Sequence, residues 1–487
     1  MHVEGLARLA VEVGANVQPG QVVSVSGRPG QEDLVRAIAG AAYRRGARFV
    51  DVAWFDPHVK LARAEHAAED TLDWVPPWYG QRIIEIGRMA GATIALAGPT
   101  APGLFDHIDS ARAGRDRLPS VREGIEVLMG AQVNWTVVPC PNPAWARLVH
   151  PDLAPDVALA RLWDEIAHVC RLDEPDPAAA WRARAEELGA SAQRLDARRL
   201  SALRFIGPGT DLTVGLLPGS RWVGGEDRRR DGLPHLPNIP TEEVFTTPDP
   251  LRTEGHVTST RPLDVGGTIV EGLRVRFEGG RAVEIDADSG AGVLRARAAL
   301  DEGAARLGEV ALVDGSGRIG PLDTTFFDTL LDENATSHIA LGAGYPKGAD
   351  PSEADRINQS EIHIDFMIGG PEVTVLGIDA DGHEAPILEN GIWRDVPSPR
   401  PASTGGRRDR ELVALVERLL RAAGEPVREA VLHERVSRER PDVTPEALIV
   451  VLERLAAAGR LHVTVEHDLP ARDPAPFAAR YWRLTAS

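Results

Sequence analysis

The chain reads as an α/β N-terminal domain with a mostly parallel sheet, an α+β second domain, and a small winged-helix-like C-terminal domain. Three observations predict this. Helical and extended signals alternate through residues 1–205, the pattern of βαβ units. From 206 to 400 the spelling changes to paired strands around glycine turns. Residues 397–406, PSPRPASTGG, have linker composition, and 401–487 follow as a separate piece.

The elements follow in order. Leu6, Leu9, Ala10 and Val13 recur at helical spacing, and 21–26, QVVSVS, is a strand. Residues 34–43 are helical and 48–54, RFVDVAW, extended. The alternation continues through helix 83–89, strand 93–97, helix 121–129 and strand 133–138. Two longer helices are expected at 157–169 and 177–195. In the next domain, 270–277 and 282–285 read as a hairpin across Glu-Gly-Gly, and 361–368 with 372–378 as another across Gly-Gly-Pro. Beyond the linker, 412–420 and 428–438 are amphipathic helices. Thr444 and Pro445 start a third that Gly459 ends, and 460–465 and 481–484 read as strands. Three helices and a two-stranded ribbon make the winged-helix pattern.

The 487 residues carry 54 basic and 72 acidic side chains, a net charge of −18, which excludes a broad nucleic-acid-coating surface. The basic set contains only two lysines, Lys60 and Lys347. Two cysteines, Cys140 and Cys170, make no disulfide framework or cysteine zinc site, and fit a reducing compartment. Charged residues interrupt the first 14 positions, so no signal peptide is expected, and no apolar run is long enough to span a membrane. A cytoplasmic location follows as the expectation.

Four patches concentrate metal-binding residue types: PTEEVFT (240–246), LGEVALV (307–313), DENATSHIAL with Tyr345 (332–345), and IHIDF (362–366). His363 and Asp365 lie two apart on a strand and so share one face, while Ile362, Ile364 and Phe366 take the other. An imidazole and a carboxylate on an apolar strand are costly to bury unless paired or metal-bound. Glu309, His338 and the Glu242–Glu243 pair each have an ordinary structural reading when taken alone. As a set, carboxylates and imidazoles without cysteine are the ligand mix of catalytic divalent-metal sites.

These patches resemble the M29 family of metallo-aminopeptidases, over roughly residues 1–396. NVQPGQVV and AYRRGARFVDV begin the likeness, and the four metal patches carry it most specifically. The resemblance implies Glu243, Glu309, His338, Tyr345, His363 and Asp365 as ligands of two divalent ions (zinc, cobalt, manganese or magnesium), and peptides as substrates. It also implies removal of single N-terminal residues with broad preference, a homodimer and an enclosed site. In the expected mechanism Glu309 bridges the metals, Glu242 is a candidate general base, and Tyr345 ligates or donates to the oxyanion. The stretch between Tyr345 and His363 is short for the family, VDGSGRIGPLDT is glycine-rich, and residues beyond about 400 lie outside its pattern.

Gly315, Gly317 and Gly320 spell G-x-G-x-x-G, but Pro321 follows and no helix and second strand complete a dinucleotide unit. A rival chemistry keeps the metal: the M29-like fold is similar to that of a ring-cleaving iron dioxygenase, and His338, His363 and Asp365 could hold one Fe(II). The presence of Glu243, Glu309 and Tyr345 favours the two-metal peptidase. A second rival is a DNA- or protein-binding regulator using the C-terminal segment. Its recognition helix would carry Glu446 and Glu453 against Arg454, poor for phosphate contact, so nucleic acid is not the expected partner.

Overall fold

The structure is a computed structural model. It describes residues 2–116, 118–394, 407–423, 427–440, 443, 448, 452, 461–466 and 479–484. The chain divides into two compact units, 1–396 and 397–487.

The first unit opens with four strands, Val22–Gly27, Phe49–Trp54, Ala92–Ala97 and Asn134–Pro139. All pair in parallel, in the spatial order second, first, third, fourth. Helices Glu32–Arg44, Pro77–Arg88 and Arg122–Met129 make the crossovers. Val23, Val25, Ile94 and Val138 are buried between the layers. Helix Pro177–Arg198 starts where the Asp176 side chain accepts from the Ala179 amide and Pro177 takes the first turn; left-handed Arg199 ends it.

Two antiparallel sheets follow. One has eight strands and runs from Arg281–Asp286 at one edge to Ile392–Trp393 at the other. The other has five, in the order His363–Met367, His338–Gly342, Leu307–Val313, Glu243–Thr246, Val223–Gly224. Val244, Val310, Leu312, Ile339 and Phe366 of the smaller sheet share a core with Leu203, Phe205, Val214 and Val375 of the larger. The Arg274–Glu278 and Arg281–Asp286 strands form the first expected hairpin.

The second expected hairpin is not formed. His363–Met367 pairs with His338–Gly342, whereas Thr374–Ile378 pairs with Ala202–Gly207 in the other sheet. The Gly-Gly-Pro segment is therefore a crossover between sheets. The Ile368 and Gly369 amides donate to the Ser337 carbonyl, which extends the strand past the point where a hairpin would turn.

In the second unit, helices Arg407–Ala423 and Glu429–Glu439 accompany strands Val427–Arg428, Leu461–Glu466 and Ala479–Leu484. Val416, Leu420, Leu432, Val436, Leu448 and Leu452 are buried together. Most of the expected third helix, 444–458, lies outside the described residues. Among the described residues, no helix is long and apolar enough to cross a membrane.

Candidate metal centre

Register builds the site. Glu309 lies opposite Ala340, and Ala340 opposite Asp365, so these positions form a row across three strands. His338 and His363 sit two residues from that row on their own strands and share its face. Glu243, opposite Val313, brings the fourth strand to the same face. The alternate residues Val244, Val310, Ile339 and Phe366 are buried in the shared core. A one-residue slip of any strand would drive its acid or histidine into that core. Gly308 permits an irregularity just before Glu309: a Cβ there would meet the Ala343 carbonyl oxygen at 2.3 Å.

The side chains converge. His338 Nε2 is 3.0 Å from Glu243 Oε2 and 3.8 Å from Glu309 Oε1. His363 Nε2 is 3.2 Å from Glu309 Oε2 and 3.4 Å from Asp365 Oδ1. Each histidine donates its other nitrogen to a main-chain carbonyl: His338 Nδ1 to Glu333 at 2.9 Å, His363 Nδ1 to Ala343 at 2.8 Å. A carbonyl only accepts, so Nδ1 carries a proton in each ring and Nε2 is the nitrogen that faces the carboxylates. Tyr345 packs on Phe245 and edge-on to His363, with ring centres 5.4 and 4.9 Å apart.

Glu333, which the sequence reading did not single out, joins this cluster. Glu333, His338 and Asp365 offer donor atoms within 4.8 Å of one another, as do Glu243, Glu309 and His338, and Glu309, His363 and Asp365. The signal was present in DENATSH, where Glu333 stands one short turn before His338. Its helix, Thr329–Glu333, is held from outside: Asp328 accepts from the Gly98 amide at 2.8 Å, and Asp332 pairs with Arg261 at 3.0 Å.

Glu242 is the correction. It stands just before the strand that begins at Glu243, and its buried carboxylate lies 2.8 Å from Arg171 and 2.6 Å from Arg184. Its main-chain amide donates to Asn334 Oδ1 at 2.6 Å. A carboxylate ion-paired with two guanidiniums outside the cluster is not placed to move a proton there.

The electrostatics separate the acids. Burial alone would raise Glu309, but His338 and His363 outweigh it and hold it down at about 2. Burial pushes Glu333 well above the usual carboxylate range, and Asp365 and Glu243 add to it. Burial opposes charging of His338, yet Glu243, Glu309 and Asp365 hold it well above the ordinary imidazole range. Four carboxylates meet two imidazoles, and among the described residues no lysine or arginine pairs with any of the four. Without a metal the cluster must hold extra protons on His338 and Glu333; a bound cation would replace them, so the donor set fits divalent metal.

The Gly315–Gly320 stretch is a turn leading into the 3₁₀ segment Gly320–Leu322. It lacks the helix a dinucleotide site requires.

A parallel α/β layer beside an antiparallel sheet carrying a carboxylate–imidazole cluster defines a metal-dependent peptide hydrolase once its relatives are considered. The family described as thermophilic metalloprotease (M29) matches residues 1–393. Aminopeptidase T of Thermus thermophilus is 42% identical over 401 residues, covering 80% of this chain and 98% of that protein. Aminopeptidase 2 of Geobacillus stearothermophilus is 35% identical over 398 residues, covering 80% and 96%. The solved structure of wild-type AmpT from Thermus thermophilus superposes with a TM-score of 0.72 at 41% identity, covering 80% of this chain and 98% of that one. The chain belongs to the M29 metallopeptidase family and is a metal-dependent aminopeptidase.

Proposed function

We propose that the chain hydrolyses the N-terminal peptide bond of peptides at a dinuclear centre held by Glu243, Glu309, His338, His363 and Asp365. The observation that supports this most is the place of Glu309, which belongs to two donor groups, one with His338 and one with His363. A carboxylate between two imidazoles is the natural bridge. When bound, two divalent ions (zinc, cobalt, manganese or magnesium) supply the positive charge that polarises a scissile carbonyl and acidifies a water.

The chain's own residues do the rest. Glu309, held ionised, keeps the cluster anionic and orders His338 and His363. Glu333 is the proton carrier: as the carboxylate it would take a proton from the attacking water, and its raised proton affinity would let it hold that proton until the amine leaves with it. Burial raises the Tyr345 phenol, so it keeps its proton and donates to the developing oxyanion, unless it ligates. The surrounding carboxylates attract the substrate ammonium.

The same reading assigns three domains, 1–205, 206–400 and 401–487, with a winged-helix-like third. It also assigns a cytoplasmic location and a homodimer. The retained Glu243, Glu309 and Tyr345 keep the iron-dioxygenase alternative secondary. Amino-acid release from a peptide panel tests the function, comparing metal-stripped protein with protein given each ion in turn. Release that returns with metal supports it; none with any ion overturns it.

A further inference from the structure

Lys347 stands on the wall of the cavity that contains the cluster. Six carboxylates line that cavity, among them Glu226 and Asp227 outside the metal cluster, while Lys347 is the single lysine or arginine among the described lining residues. Its Nζ donates to Asp227 at 2.6 Å and lies over the rings of Phe245 and Tyr345, 5.3 and 5.4 Å from their centres. The side chain keeps 28% exposure, and an ammonium has three donors, of which Asp227 engages one. Tyr345 in turn packs on His363, so a single aromatic ring separates Lys347 from the cluster.

The residue type is informative as well. This sequence uses lysine at only two of its 54 basic positions, Lys60 and Lys347. The other, Lys60, is buried and donates to the Leu118 carbonyl at 2.8 Å. A composition that writes arginine nearly everywhere places lysine where a compact ammonium is held against aromatic rings.

We propose that Lys347 is a specificity-determining residue that receives a substrate carboxylate. The proposal rests on the aminopeptidase reading and deepens it. Glu226 and Asp227 lie on the cavity wall outside the metal cluster and would repel a substrate carboxylate there; Lys347 offsets that repulsion at one point. A carboxylate within reach has two sources. It is the free C-terminus of a dipeptide, or the side chain of an acidic N-terminal residue. Asp227 fixes the ammonium until the carboxylate engages it.

Matched substrate pairs test this on metal-loaded protein. Leucyl-alanine against its C-terminal amide reads the main-chain carboxylate. Glutamyl-alanine amide against the glutaminyl compound reads the side chain. The wild type is expected to favour the carboxylate member of at least one pair by about tenfold in kcat/KM, chiefly through KM. Lys347→Gln is expected to bring that ratio near one. The proposal is overturned if both wild-type ratios are one or lower, which needs no variant, or if the wild-type preference survives in Lys347→Gln. Failure of the wild type on the neutral leucyl-alanine amide would instead count against the aminopeptidase reading itself.

Discussion

Glu309 and Glu333 lie in one buried cluster, yet their surroundings drive them in opposite directions. That divergence is the basis for giving one the bridge and the other the proton. Glu333→Gln is expected to lower kcat by about 10²–10⁴-fold while bound metal is retained. Wild-type turnover in that variant would remove Glu333 from the chemistry. Glu242→Gln is expected to act on stability. It leaves Arg171 and Arg184 without their buried counter-charge, a loss of about 3–5 kcal/mol that denaturant unfolding would read. Unchanged stability with lost turnover would return Glu242 to the catalytic step. Strand period alone put His363 and Asp365 on one face; Glu243, Glu309 and His338 were reached through the resemblance to the M29 family, each having an ordinary reading when taken alone. The sequence did not separate Glu242 from Glu243 by direction, since adjacent acids look alike until Arg171 and Arg184 arrive from distant segments.

At the scale of elements, the short helix Thr329–Glu333 ties the cluster to the N-terminal sheet. Leu331 and Ala335 are buried in the same core as Val23 and Trp145, and the Trp145 indole donates to the Phe326 carbonyl at 2.6 Å. Asp328, which caps this segment against Gly98, is pushed up by burial to about 7, with the Asp332 charge adding to the effect. Its pKa is higher folded than unfolded, so the folded state retains a proton that the unfolded state sheds. Stability therefore falls as pH rises from about 4 to 7 and levels above that, by at most about 4 kcal/mol from this group. Asp328→Asn is expected to flatten that slope between about pH 4 and 7 in chemical denaturation. A slope identical to wild type would contradict the assignment. The strands and helices of the parallel layer were readable from periodicity. The crossover at Gly-Gly-Pro was not, because two apolar runs around a glycine turn spell a hairpin equally well; His338 and Ser337 decide the pairing from afar.

At the scale of the molecule, the parallel layer and the antiparallel sheets form one unit, with one core packing the parallel layer against the 319–335 segment and a second between the two antiparallel sheets. Trp135 and Asn238 bring the N-terminal layer and its neighbouring loop to the cavity beside the cluster. The family patches announced the cluster, but its cavity wall was not legible. Lys347 and Asp227 are 120 positions apart and meet only through the fold. The central claim is that Glu309 joins two ions in one site. The most direct test is the number of ions bound per chain at saturation, read by elemental mass spectrometry on wild type and Glu309→Gln. Two ions in the wild type, and at most one in the variant with peptide release lost, is the expected result. One ion in the wild type, or two retained in the variant, would contradict it.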